Sequence, residues 1–284
     1  MVQCMSKTGS KRRWLLAATL SCGLIGGAAV AEPGPIVTRT DRSGAISAAR
    51  TAAMFSAAGL PTDPAEILRL AQQRCEAGVR DYKCVFTKRE RIGGKLKDEE
   101  AMSVLYRNDP RSVYMTWIRN PQRAKRCVYV RGRNVGKHGE EQALVEPAGA
   151  IARLFVSQVN VPIHGDDARA ASRYPIDCFG FHTTLARLNA DNERFAEDGA
   201  VQWQFEGSGT VDGRPTWVLA RLLPYTGPEG RYPDARLVVH LDQEWLLPVA
   251  IYSYGDRQER KLLGSYVSTQ VQLNPGLGDL AFAF

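Results

Sequence analysis

The sequence carries no Gly-rich phosphate loop, no G-x-S-x-G elbow, no dinucleotide fingerprint and no H-E-x-x-H pair. Nucleotide-driven chemistry, serine hydrolysis of the elbow type and zincin-type proteolysis therefore have no sequence support. Histidine is scarce, with four in 284 residues. His164, followed by Asp166 and Asp167, is the nearest approach to a metal cluster, and an ordinary polar loop explains it as well. His138, His182 and His240 stand apart from one another in sequence, so a Cys–His pair could form only through the fold. Neither cofactor nor metal is expected, and the expectation is a protein that is not an enzyme. Internal repeats are also lacking.

Acidic residues are missing from the first 31 positions, where Lys7, Lys11, Arg12 and Arg13 precede an apolar stretch from Trp14 to Val30. The stretch closes on Ala29-Val30-Ala31, an A-x-A cleavage pattern. Residues 1–31 are thus expected to be a signal peptide and the protein to be periplasmic or secreted. The Sec route is favoured, with Arg12-Arg13 leaving twin-arginine export open. The whole chain has 37 basic and 30 acidic residues, a formal +7. Removal of the leader leaves 33 against 30, or +3, too little for a global nucleic-acid footprint.

Cysteine is sparse beyond the leader. Cys75, Cys84, Cys127 and Cys178 remain, at spacings that fit neither a zinc ribbon nor a redox C-x-x-C pair. An oxidising compartment would allow two disulfides among them, in three connectivities, and four buried free thiols are the alternative.

Residues 32–60 are rich in Ala and Ser and lack firm periodicity, as a disordered tether would. Residues 61–284 read as one domain. Asp63, Pro64 and Glu66 form a helix start, and Ile67, Ala71, Cys75 and Val79 repeat at i+4. Strand patterns follow from Asp81 to Gly132. A helical insert is expected near 147–198, with Phe181, Leu185 and Leu188 on one side of its second helix. Strands return from Ala200 to Leu273, with Val201, Trp203 and Phe205 alternating against polar neighbours. Tight turns between consecutive strands imply antiparallel pairing. The predicted fold class is α+β: a curled, largely antiparallel sheet, a half-open barrel, wrapped over one or two helices.

Between residues 85 and 100, Gly93-Gly94 suits a two-residue primed turn. Its register would set Glu90 against Lys97, Arg89 against Asp98 and Lys88 against Glu99, a hairpin tip that neutralises itself. Acid is next absent from Pro110 to Gly139. Arg111, Arg119, Arg123, Lys125, Arg126, Arg131, Arg133 and Lys137 lie there without a single carboxylate. A solvated strand face is the bland reading. The sharper one is a surface for anionic lipid headgroups or an acidic partner. Tyr114, Trp117, Trp203, Phe205, Trp217 and Tyr252 fall on successive strands. Core packing explains most of them, and they are also candidates to line a ligand cavity inside a curled sheet.

The stretches "KRERIGGKL" (88–96), "DPRSVYMTWIRNP" (109–121), "VYVRGRNVGK" (128–137) and "YPIDCFGF" (174–181) resemble the exported bacterial family called domain of unknown function 1571, over about residues 80–190. The stretches "VVHLDQEWLLPVAIYSYG" (238–255) and "VQLNPGLGDLAFAF" (271–284) resemble periplasmic lipoprotein carriers of the LolA-like half-barrel group. Arg123-Ala124-Lys125-Arg126 departs from the pattern expected before the "YV" strand. The resemblance implies a concave apolar face able to hold a lipid or a lipoprotein acyl chain, and no catalytic residues. The alternative is an envelope scaffold that docks an acidic partner through residues 110–139. No nucleic-acid partner is expected.

Overall fold

A computed structural model describes residues 37–39, 53, 55–149 and 157–284. All of them belong to one compact unit, Gly34–Phe284. The expected signal peptide, most of the expected tether and the first expected helix of the insert lie outside the described residues.

The first helix, α1 (Pro64–Gly78), begins as its sequence dictates. Asp63 accepts a hydrogen bond from the Ala65 amide at 2.9 Å, and Pro64 occupies the first turn, where no amide donor is needed. Its buried stripe is Ile67, Leu68, Ala71 and Cys75. Six strands follow: β2 (Asp81–Ile92), β3 (Lys95–Leu96), β4 (Glu100–Arg107), β5 (Ser112–Arg119), β6 (Ala124–Val130) and β7 (Gln142–Pro147). After β8 (Val159–Pro162) come the short helix α2 (Asp166–Ala171) and the long helix α3 (Phe181–Ala196). The chain then returns through β9 (Gln202–Val211), β10 (Arg214–Leu222), β11 (Arg236–Asp242), β12 (Pro248–Tyr254) and β13 (Leu262–Leu273).

Every strand pair is antiparallel, in the order β1-β9-β10-β11-β12-β13-β2-β4-β5-β6-β7-β8, where β1 is Val37–Arg39 and β3 pairs with β2 alone. The β13–β2 pairing joins the last strand to the second, so the N- and C-terminal runs make one sheet. β1 corrects the tether expectation at Val37–Arg39, because the free edge of β9 offers backbone groups that an extended segment can pair. Phe55, fully buried in the same stretch, joins an aromatic cluster in the core. The strands β7 and β8 were not anticipated. Both are short, and Val159 and Asn160 are exposed, so no alternation marks them.

The helices α1 and α3 cover one face of the sheet. Asn189 of α3 donates to the Leu68 carbonyl at 3.2 Å and to Gln72 Oε1 at 2.7 Å, locking the two helices together. On the opposite face, the C-terminal turn Asp279–Phe282 caps a smaller apolar cluster. Phe282 is fully buried there with Val128 and Val130.

The Gly93-Gly94 turn forms as expected, with φ of 58° and 78°, and pairs Ile92 with Lys95 and Arg91 with Leu96. Beyond it the expected register slips by one residue. Lys88 stands opposite Glu100, and Phe86 opposite Met102. Residues 97–99 leave the ladder and add one residue to that side, a local bulge that a two-residue turn rule does not contain. Side chains alternate along a strand, so the slip puts Phe86 and Met102 on the same face.

Candidate functional site

The strands from β12 round to β8 enclose a cavity of about 420 Å³ against α2, α3 and the segment that joins them. Strands seven places apart in the sheet share this one cavity. A flat sheet would hold them roughly 34 Å apart at about 4.8 Å per strand, so the sheet bends round the space. Its near wall is Phe86 of β2, Met102 of β4, and Met115 and Trp117 of β5. Its far wall is Cys127 of β6, Ala143 and Val145 of β7, and Val161 of β8. Ile176, Phe179 and Phe181 close it from the helical side. On β5 and β7, which contribute two each, these side chains share one parity, which is the alternation that a one-sided apolar face requires.

Gly180 makes the helical wall possible. Its φ is 117°, and a Cβ there would lie 2.4 Å from the Tyr106 ring. Only glycine permits the backbone to press on Tyr106 before α3 begins.

Polar groups gather at two places. At the rim, Arg123 faces Asp167 of α2 at 3.9 Å, and both are exposed. Beside the rim, Lys88 Nζ lies 3.1 Å from Glu90 Oε2, 3.4 Å from Glu100 Oε2 and 3.3 Å from the Ala171 carbonyl. Glu90 is buried and also accepts from the Tyr266 hydroxyl at 2.8 Å, from the Ser172 hydroxyl at 3.1 Å and from the Arg173 amide at 3.2 Å. Burial pushes the Tyr266 pKa up, and the Glu90 carboxylate adds to the shift, so the phenol remains a donor. The self-neutralising tip expected from the sequence is corrected here. Glu90 is an interior acid rather than a surface one, and Glu99 pairs instead with Arg119 at 2.5 Å. Arg89 donates to the Lys97 carbonyl at 3.1 Å.

Of the six aromatic candidates, Trp117 lines the cavity. Phe205 and Trp217 pack with Phe55, ring centroids 4.6 and 5.4 Å away, in the part of the core under α1. Trp203 donates its indole N–H to Asn192 of α3 at 3.0 Å. Tyr252 lies edge-on to His240, 6.0 Å between centroids. Tyr114 is on the opposite face of the sheet, 6.3 Å from the Phe284 ring.

The acid-free stretch meets its partners in the fold. Arg111 donates to the Asp177 carbonyl at 3.0 Å, and Lys125 and Arg126 share Glu146 at 3.7 and 2.5 Å. Arg133 donates to the Phe282 carbonyl at 2.8 Å, and Arg126 lies 4.7 Å over the Phe284 ring. Arg131 lies near the Tyr129 hydroxyl. The carboxylates come from β7, α2 and the chain before β4, remote in sequence.

The four cysteines stand as free thiols. Cys75, Cys84 and Cys127 are buried, and burial pushes each thiol up to about 12. Cys178, half-buried, lines the cavity with Cys127. His164 pairs with Asp177 at 3.2 Å rather than with Asp166 or Asp167. Among the described residues, no group of three or more His, Cys, Asp or Glu side chains is gathered where a metal ion could sit. Among them, too, no helix is long and apolar enough to cross a membrane.

The chain belongs to the family described as "Protein of unknown function (DUF1571)", whose match runs over residues 79–284 and so takes in the C-terminal strands as well as the four motifs between 88 and 181. No curated protein matches the chain in sequence. Among solved structures it is similar to MucB, at 14% identity and a TM-score of 0.46 over 76% of this chain and 62% of that one. The chain thus spans less than two thirds of MucB. It is also similar to the Mycobacterium tuberculosis lipoprotein LppX, at 11% identity and a TM-score of 0.40 over 76% and 99%. A third likeness is to a LolA superfamily protein from Nitrosomonas europaea, at 9% identity and a TM-score of 0.25 over 76% and 97%.

Proposed function

We propose that this protein is a non-catalytic, exported lipid-binding protein that holds one acyl chain, of a lipid or a lipoprotein, in the concave cavity. The observation that carries the reading is the cavity itself: about 420 Å³, walled by Phe, Met, Trp, Val and Ile side chains and rimmed by charged groups. A folded domain of this size normally fills such a space with its own side chains. Open apolar volume with a polar rim is how proteins receive apolar ligands. The volume falls in the range of pockets that enclose a small apolar ligand, roughly 300–1,000 Å³, which suits one alkyl chain.

Docking of an acidic partner on residues 110–139 has less support. Arg111, Arg119, Arg123, Lys125, Arg126 and Arg133 are all engaged within the chain.

Native mass spectrometry of the protein purified from its own cell envelope tests the reading. A co-purifying lipid, released on denaturation, is the expected result. A protein that carries no lipid and takes up none from detergent-dispersed total lipid would overturn it.

A further inference from the structure

Four cations, Lys88, Lys97, Arg123 and Arg187, interrupt the apolar lining. Arg187 of α3 faces the cavity beside Tyr174, Thr184 and Tyr266. Its guanidinium carbon sits 3.9 Å from the centroid of the Tyr174 ring, a cation–π contact. It makes no hydrogen bond and no ion pair among the described residues. The neighbouring cations differ. Lys88 is held between two carboxylates, Arg123 is paired with Asp167, and Lys97 follows β3 at the hairpin tip. A guanidinium set in an apolar wall with no anion hydrogen-bonded to it costs free energy that an exposed one does not. The contact with the Tyr174 ring engages the charge and supplies no hydrogen-bond acceptor. Its N–H donors are left for a ligand, in the fork that matches a carboxylate.

The surroundings also limit the charge of that ligand. Asp191, one turn further along α3, acts on Arg187 electrostatically, and the buried Glu90 lies behind Tyr266. Arg173 adds a second guanidinium, 5.8 Å from the Tyr174 ring centroid, and the carboxylates of Asp191 and Glu90 offset these cations, an arrangement that suits a single negative charge better than two.

We propose that Arg187 receives the carboxylate of a long-chain fatty acid whose alkyl tail occupies the cavity, an inference that rests on the acyl-chain reading above. It narrows the ligand from acyl chains in general to free, singly charged amphiphiles.

The test is calorimetric titration of the delipidated protein with palmitate, its methyl ester and hexadecyl phosphate, repeated on Arg187→Gln and Arg187→Lys. Wild type is expected to bind palmitate at least tenfold more tightly than the ester, and more tightly than the phosphate. Arg187→Gln should erase the acid-over-ester preference while keeping ester affinity, which also shows that its cavity is intact. Arg187→Lys should keep part of the preference. Equal affinity for acid and ester in the wild type, a preference that survives Arg187→Gln, or tighter binding of the phosphate would each overturn the assignment and leave the acyl-chain reading standing. Binding of none of the three would overturn both. If Arg187→Gln fails to fold, the wild-type and Arg187→Lys comparisons still decide the matter.

Discussion

The Tyr266 hydroxyl donates to Glu90 Oε1 at 2.8 Å, tying β13 to β2 beside the cavity. The same carboxylate is one of two that hold Lys88. Removing the phenol oxygen costs one hydrogen bond to a charged group, about 1.5–3 kcal/mol. Glu90 keeps Lys88, Ser172 and the Arg173 amide. Removing the lysine is different in kind, because it leaves two buried carboxylates facing each other. Lys88→Met is expected to cost about 3–5 kcal/mol, more than Tyr266→Phe. Urea denaturation of both variants checks this, and a loss of under about 1 kcal/mol for Lys88→Met would mean that Lys88 contributes no more than a surface cation.

Acyl binding predicts a dependence on length. Each buried methylene contributes about 0.8 kcal/mol, so affinity should rise roughly fourfold per carbon until the cavity is full and then level off. Quenching or enhancement of Trp117 emission across a series of alkanoates from 8 to 20 carbons would report it. Ala143→Phe fills the far wall and should move the plateau to shorter chains. An unchanged plateau in a folded variant would place the ligand elsewhere.

The thiols give a prediction about accessibility. Burial pushes Cys75, Cys84 and Cys127 up to about 12, so at pH 8 each is overwhelmingly a protonated and enclosed thiol. Alkylation of the native protein should modify these three slowly and Cys178 fastest, with all four reacting at once in denaturant. Mass-spectrometric peptide mapping reads this directly. Two cysteines that stay unmodified in denaturant until a reductant is added would show a disulfide instead.

Much of the frame was legible because local rules set it. Asp63-Pro64 starts α1, the i+4 stripe orients it, Gly93-Gly94 turns the first hairpin, and Val201, Trp203 and Phe205 alternate. The cavity was less legible. Of six aromatic candidates only Trp117 lines it, because alternation shows that a side chain points inward but not what stands opposite. Phe205 and Trp217 face inward too, yet Phe55 from a featureless Ala/Ser-rich stretch fills the space before them. The partners of the acid-free run 110–139 were equally hidden, since Glu146 and Asp167 reach it only through pairing and folding. Arg187 was passed over for a simpler reason. An arginine on an amphipathic helix looks like solvent-face charge, and only Tyr174 beneath it shows otherwise.

His182 supplies a pH dependence with a definite sign. It is buried at the start of α3, stacked on Tyr106 with 6.0 Å between ring centroids. Burial lowers its pKa below the ordinary 6.5, and the Arg111 charge lowers it further, outweighing the opposing pull of Glu76 and of the Cys75 and Val79 backbone. The native state therefore holds a neutral imidazole over a pH range in which the unfolded chain already binds a proton. In that range the unfolded state carries more protons, so stability rises with pH. Equivalently, the stability that neutral His182 contributes is complete above about pH 6.5 and drains away as the pH falls from there towards its native pKa. Other titrating groups add their own slopes, so the informative quantity is a difference. The slope of unfolding free energy between pH 5 and pH 7 should be smaller in His182→Gln than in wild type, and the two should run parallel above pH 7. Denaturant titrations at half-unit pH intervals measure this, and parallel curves down to pH 5 would show that His182 titrates no differently in the fold than in the open chain.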